Sequence, residues 1–161
     1  MSKRPTSAPN GQTPARRVAE LARQIGEAET AAWFAGLLDG SIAHTDRGRP
    51  PNTWLGGRHS AALQRHHGDE WGPHDFWPRV WAARGLMYVW REDAESAILA
   101  GLHHRAWRVR EMSAKVARRR AIAAAEPILA RLLDDPTQRV RAAAEAALDV
   151  LSARASARSQ G

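Results

Sequence analysis

The sequence has no cysteine, only two lysines and no long apolar run. Missing cysteines exclude disulfides and thiolate metal sites, and they agree with a cytoplasmic location. No stretch approaches the roughly 18 consecutive apolar residues that mark a transmembrane helix, and the N-terminus lacks an apolar signal core. We therefore expect a soluble, cytoplasmic protein without membrane contact.

Valine and isoleucine are sparse, whereas alanine, the strongest helix former, occurs in repeated runs. No segment alternates apolar and polar residues as a half-buried strand does. The sequence therefore predicts an all-α fold, and 161 residues suffice for one domain with a core of its own. The excess of arginine and alanine is typical of a GC-rich bacterial genome.

Composition divides the chain into four parts. Residues 1–13 are rich in Pro, Ser and Gly without apolar anchors, which predicts a disordered tail. Residues 14–73 form a helical N-terminal region with a long loop at 39–57. Residues 74–152 contain the repeats described next, and residues 153–161 form a tail that we expect to fray.

Two segments, 94–117 and 125–148, align without a gap at a spacing of 31 residues. Each has an apolar segment, a polar break, an Arg-Val-Arg triplet and a second helix-forming run. A more divergent third copy follows residue 75, with Trp77 at the position of Trp107. A period of 20–50 residues built from two helices is the signature of an α-solenoid. The aligned positions are Arg79-Val80, Arg108-Val109-Arg110 and Arg139-Val140-Arg141.

Residues 134–148, DDPTQRVRAAAEAAL, resemble the signature of HEAT-repeat proteins, in particular the short lyase-type HEAT-like repeats. The signature is an Asp-Pro turn, then Val-Arg, then small residues on a helix. Residues 104–117 are a copy without Asp-Pro, and residues 76–86 are a more distant copy in which Trp81 replaces the second arginine. The resemblance implies a right-handed stack of helix pairs, and we expect the helical N-terminal region to act as an atypical cap. Second helices would line a concave side that commonly binds partners.

Several repeat positions have a structural interpretation. Asp135 and Pro136 suit the end of one helix and the start of the next. The valines fall on the apolar face of each second helix, and the second arginines are expected to hydrogen-bond loop carboxylates or carbonyls of the adjacent unit. These structural positions are Val80, Val109, Val140, Arg110, Arg141, Asp135 and Pro136.

The first arginines of the three copies are the main candidates for partner binding. If the units stack, Arg79, Arg108 and Arg139 form a ladder, which Lys115 and Arg119 extend along the middle helix. Such a ladder suits an acidic protein or peptide, and the net charge of +7 also permits nucleic acid. The alternative to partner binding is structural. The arginines would then form a solvated helix face, and arginine would be frequent there because of codon usage.

Seven tryptophans are many for a chain of this length. Trp107 and Trp77 lie beside the ladder arginines and are candidate aromatic anchors for a partner. Most of the others are expected to fill the core, since large rings can cover the open end of a solenoid.

Catalytic motifs are missing: the sequence has no HExxH, GxSxG, P-loop or dinucleotide fingerprint. The histidines gather in residues 44–74, but adjacent helical histidines point apart, so we expect no metal site and no cofactor. Gly56-Gly57 before a helix is a weak signal for anion binding.

We expect a non-catalytic scaffold for protein–protein interaction. The alternative is a nucleic-acid-binding or DNA-repair-related HEAT-like protein, and the role of 44–74 stays open.

Overall fold

The computed structural model describes residues 5–161, and this range folds as an all-α chain without strands, as the sequence predicts. Short 3-10 turns precede three of its helices. The helices are α1 (Pro14–Ile25), α2 (Glu27–Asp39), α3 (Thr53–Gly56), α4 (Arg58–His67), α5 (Trp77–Gly85), α6 (Glu95–Gly101), α7 (Trp107–Arg120), α8 (Glu126–Leu132) and α9 (Gln138–Ser159).

Helix α1 begins where the sequence predicts. The side-chain oxygen of Thr13 accepts a hydrogen bond from the backbone N–H of Arg16 at 3.3 Å, and Pro14 occupies the first position, which needs no donor. Gly26 ends the helix with a φ of 93°, a conformation that favours glycine. Because α2 starts at the next residue, the two helices fold back and pack against each other.

The N-terminal part of the core is aromatic. Trp33, Phe34, Trp54 and Trp71 are each at most 1% exposed. The ring of Phe34 lies directly against Gly85, where a Cβ atom would overlap the ring. This close approach requires glycine at the end of α5, and it brings α2 and α5 together.

The C-terminal part of the core is built from alanine and aliphatic side chains. Val116, Leu129, Ala144 and Ala147 are fully buried. Helix α7 packs against α5, α6 and α9, and α8 packs against α9. Small alanine side chains allow this closeness, because helices approach according to the size of the residues between them.

Helix boundaries in this part repeat at a spacing of 31 residues. Helix α6 begins at Glu95 and α8 at Glu126, while α7 begins at Trp107 and α9 at Gln138. The 3-10 turns that precede α6 and α8 have the same displacement. The repeat that the sequence shows in side chains is therefore also present in the backbone.

The last arginine of each Arg-Val-Arg triplet makes the same hydrogen bonds in both units. Arg110 donates through Nη1 to the carbonyls six and five residues before it, at 2.8 and 2.9 Å. Arg141 does the same at 2.7 and 3.2 Å, and Pro136 supplies its second acceptor. The three valines of the repeat are buried, with Val109 and Val140 at 0% exposure and Val80 at 6%.

Asp135 links the two units. Arg110 donates to its carboxylate twice, from Nε to Oδ2 at 2.8 Å and from Nη2 to Oδ1 at 3.2 Å. The N–H of Thr137 donates to Oδ1 at 2.9 Å. Burial opposes ionisation of Asp135, but the hydrogen bonds from Arg110 and Thr137 outweigh it and lower its pKa.

Part of the predicted N-terminal tail is anchored. The first four residues of the segment 1–13 lie outside the described residues. The rest forms no helix, yet the carbonyl of Thr6 accepts from Nε1 of Trp54 at 2.6 Å, and the N–H of Ala8 donates to Oγ1 of Thr53 at 3.1 Å. These hydrogen bonds hold the segment against α3.

Two further segments contain more helix than the sequence predicts. The loop expected at 39–57 contains α3, whose Trp54 and Leu55 are buried. Residues 153–161 were expected to fray, but α9 continues through Ser159 with exposed side chains. Within the described range, no helix combines the length and apolarity that crossing a membrane requires.

We expect Asp135→Asn to lower the free energy of unfolding by about 2–3 kcal/mol near neutral pH, because it leaves the half-buried Arg110 without its counter-charge. In the folded protein the pKa of Asp135 lies below the free value of about 3.9. The carboxylate therefore makes its full contribution to stability above about pH 3.9. The contribution is lost as the pH falls through the folded pKa. Urea unfolding of both proteins between pH 7 and pH 2.5 should show the difference shrinking at acid pH.

Asp134→Asn is the matched control, because Asp134 is exposed and makes no side-chain hydrogen bond in the described residues. It should change stability by no more than about 0.5 kcal/mol. Equal effects of the two substitutions, or a pH-independent effect at Asp135, would contradict the assigned role of the carboxylate.

Candidate functional site

The candidate site begins at the turn into α7. Ala106 is extended, and its N–H donates to Nδ1 of His104 at 3.0 Å. Trp107 is the first residue of the helix, and Arg108 follows with its Cζ 4.3 Å from the centre of the Trp107 ring. Both side chains are partly exposed. The turn therefore presents an indole and a guanidinium together at the surface.

Arg108 lies among three aromatic rings. Its Cζ is 5.5 Å from the centre of Trp77 and 5.7 Å from that of Phe76, in addition to the Trp107 contact. Trp77 is itself stacked on Trp81, with centroids 5.7 Å apart and planes 20° apart. Arg108 makes no hydrogen bond or ion pair with any described residue. Cation–π attraction holds it while all its donors remain available.

Arg139 reaches the same tryptophan from α9. Its Cζ is 5.6 Å from the centre of Trp107, and its Nε donates to Oε1 of Glu111 at 3.1 Å. Nζ of Lys115 donates to the same oxygen at 2.8 Å. Glu111 is only 7% exposed, so one buried carboxylate orients two exposed cations. We call Trp77, Trp107, Arg108 and Arg139 the tryptophan–arginine surface.

A shallow groove of about 290 Å³ continues from this surface between α7 and α9. Charged side chains form its walls, and three alanines of α9 contribute small apolar groups. A segment lying in this groove would meet cations and an apolar wall at once. The groove is lined by Glu111, Lys115, Arg118, Arg139, Ala142, Ala143 and Ala146.

The structure does not bring all the ladder residues together. Nη1 of Arg79 donates to the carbonyl of Leu38 at 2.7 Å, so its guanidinium lies at the C-terminal end of α2. Carbonyls at a helix C-terminus attract a cation, which explains this position. Arg119 donates to the carbonyl of Met87 at 3.3 Å. Among the predicted site residues, Arg108, Arg139, Trp107 and Trp77 are therefore joined by direct contacts, and Lys115 is linked to Arg139 through Glu111. Arg79 and Arg119 contact carbonyls elsewhere.

Sequence reasoning missed Phe76, Glu111 and Arg118. Glu111 is the single acid of α7, four residues before Lys115, and this spacing is a signal that could have found it. Phe76 carries no comparable signal, because its role comes from the packing of α5 beside α7. Arg118 is one of three consecutive arginines, and only the groove distinguishes it from the other two.

The histidines of residues 44–74 contact different neighbours. His67 and His74 have ring centroids 5.4 Å apart, and His44 lies 4.6 Å from the ring of Trp71. Burial lowers the pKa of His44, although the nearby Asp69 opposes this. In residues 5–161, no group of three or more His, Asp or Glu side chains could hold a metal ion.

Comparisons of the chain with protein-family models, with curated proteins and with solved structures find no match. The geometry of the residues therefore carries the functional assignment. Its main elements are an arginine without a counter-ion, two partly exposed tryptophans and a second arginine oriented by a buried carboxylate.

We expect Glu111→Gln to lower the free energy of unfolding by about 1 kcal/mol, because the neutral amide no longer attracts Lys115 and Arg139. The effect is modest since both cations are exposed and screened by water. Urea unfolding measures it. Glu145→Gln on the exposed face of α9 is the control, and it should stay within about 0.5 kcal/mol of the unchanged protein. Equal effects at the two positions would argue against an orienting role for Glu111.

Proposed function

We propose that the protein is a non-catalytic HEAT-like scaffold that binds an acidic segment of another protein through the tryptophan–arginine surface. The observation that carries the proposal is Arg108, whose guanidinium lies among Trp77, Trp107 and Phe76 with no carboxylate partner in the described residues. A charge placed between rings, with its donors available, is suited to a carboxylate that arrives from outside.

The HEAT-like α-solenoid assignment has independent support. Helix boundaries repeat at 31 residues, and Arg110 and Arg141 make hydrogen bonds to carbonyls at the same sequence offsets. Helix α7 packs between α5 and α9, as expected of a middle second helix in a stack. Under this assignment the second helices α5, α7 and α9 carry the binding surface, and the helices before α5 act as the cap.

An acidic peptide matches the surface better than a neutral one. Arg108 offers a guanidinium that can bind a carboxylate bidentately, and Arg139 has 67% of its side chain exposed beside the same indole. The tryptophans offer apolar area that an aliphatic side chain of the peptide can cover. The cysteine-free, arginine-rich composition favours action in a bacterial cytoplasm.

Nucleic acid is the second candidate, favoured by the run Arg118, Arg119 and Arg120 at the end of α7 and by the net charge of +7. Two of these three already donate to carbonyls, Arg119 to that of Met87 and Arg120 to that of Leu86. We therefore rank an acidic protein segment first.

The test uses fluorescence anisotropy with a labelled peptide that alternates glutamate and leucine. Arg108→Gln and Trp107→Ala should each weaken its binding by about tenfold or more, because each removes a central anchor. Arg131→Gln on α8 is the control: it removes the same charge from an exposed side chain without hydrogen bonds in the described range, and binding should stay within about twofold. Equal weakening by Arg108→Gln and Arg131→Gln would mean that only net charge matters, which contradicts the proposal.

The same measurement with single-stranded and duplex oligonucleotides distinguishes the second candidate. Phosphate binding predicts that log K falls linearly with log salt, with a slope that drops by about one when one phosphate contact is lost. If oligonucleotides bind more tightly than the peptide at 150 mM salt and Arg108→Gln flattens the slope, the nucleic-acid assignment replaces the first.

A further inference from the structure

A cavity of about 440 Å³ lies between the segment 8–14 and the helices α1, α3, α4 and α5. Its charged lining is entirely cationic: Arg17, Arg58 and Arg84 contribute to it, and no aspartate or glutamate does. Trp81 supplies an aromatic wall. None of these residues belongs to the tryptophan–arginine surface, so the cavity is a separate feature of the fold.

Arg17 is buried without a counter-ion. It is 7% exposed, and it donates from Nη1 to the carbonyl of Gln12 at 2.6 Å and from Nη2 to that of Leu55 at 3.1 Å. Its Nε has no hydrogen-bond partner, and neither does the buried Oε1 of Gln12, which also lines the cavity. Buried polar atoms are nearly always satisfied, so the unpaired Nε donor of Arg17 calls for an acceptor, whereas the unpaired Oε1 of Gln12 calls for a donor and does not itself favour an anion.

Arg84 adds a second charge to the same place. It is half-buried and makes no hydrogen bond or ion pair with the residues 5–161 that the structure describes. Burial lowers the pKa of Arg17, and the charge of Arg84 lowers it further. Two guanidinium groups that repel each other in one cavity are stabilised when an anion lies between them.

The start of α4 adds backbone donors. Gly57 precedes this ten-residue helix with a φ of 56°, and no side chain caps its first amides. A Cβ atom at Gly57 would lie 2.9 Å from Nη1 of Arg17, so glycine lets the guanidinium lie against the backbone. The glycine pair that the sequence shows before α4 therefore permits the approach of Arg17 to a helix N-terminus, where anions are favoured.

We infer that this cavity binds a small organic phosphate monoester, with the phosphate held by Arg17, Arg84 and the first amides of α4, and the organic group against Trp81. A phosphate dianion offsets more of the charge of three arginines than a single carboxylate does, and its oxygens accept several bidentate donors at once. The cavity is much larger than a phosphate ion, which leaves room for an organic group beside the indole.

Isothermal titration calorimetry of the full chain with phenyl phosphate, inorganic phosphate and benzoate tests the inference. We expect saturable 1:1 binding of phenyl phosphate, weaker binding of inorganic phosphate and the weakest binding of benzoate. Arg84→Gln should raise the Kd for phenyl phosphate at least about tenfold, because it removes a charge-assisted hydrogen bond without touching the anchors of Arg17. Arg17 itself is a poor test position, since its carbonyl contacts hold the segment 8–14.

Two control variants make the outcome decisive. Arg154→Gln, on the exposed end of α9, and Arg108→Gln, in the tryptophan–arginine surface, should leave the Kd within about twofold. In ¹H–¹⁵N spectra, phenyl phosphate should shift the amides of Arg58 and His59, and the same shift in Arg84→Gln should need at least about tenfold more ligand. Benzoate binding as tight as that of phenyl phosphate, an unchanged Kd in Arg84→Gln, or loss of binding in Arg108→Gln would each overturn the inference.

Discussion

The contact between Arg110 and Asp135 sets the position of the last two helix pairs. One guanidinium donates to the carboxylate of Asp135 and to the carbonyls of His104 and Arg105, so it ties the loop before α7 to the loop before α9. The carbonyl of Asp135 accepts from Arg141, which ties the same loop to α9 itself. With both loops fixed, the first turns of α7 and α9 lie side by side. That arrangement brings Arg139 to the ring of Trp107.

Toward the N-terminus both members of this pair are replaced. Trp81 stands at the position of the second arginine, and His104 stands at the position of Asp135. Burial lowers the pKa of His104, and the charges of Arg79 and Arg105 lower it further, which favours the neutral form of the ring. Its Nδ1 accepts the N–H of Ala106, as the aspartate accepts that of Thr137. The local capping role is kept, whereas Trp81 stacks on Trp77 within its own helix and forms no counterpart of the ion pair between units.

The sequence predicts well those features that depend on local chemistry. The helix start at Thr13-Pro14 follows from capping rules, and the buried valines follow from helical periodicity. Helix α9 differs, because it begins at Gln138, two residues after Pro136, and no side chain caps its first amides. The sequence predicts poorly the contacts that depend on backbone acceptors distant in the chain. Arg79 is drawn to the carbonyl of Leu38, 41 residues away, and a carbonyl has no side-chain signature to read. The same holds for the tail that binds α3, because the carbonyl of Thr6 is its acceptor.

Several arginines that approach the core donate to carboxylates or to carbonyls, whereas Arg108 and Arg84 do neither within the described residues. Arg108 is surrounded by rings, and Arg84 shares a cavity with Arg17, which has no carboxylate partner there. Placing cations where few counter-charges exist lowers the stability of the protein, so ligands that neutralise them raise it by RT ln(1 + L/Kd), where L is the free ligand concentration. The stack of Trp77 on Trp81 lies between the two regions, since the first ring contacts Arg108 and the second forms a wall of the cavity.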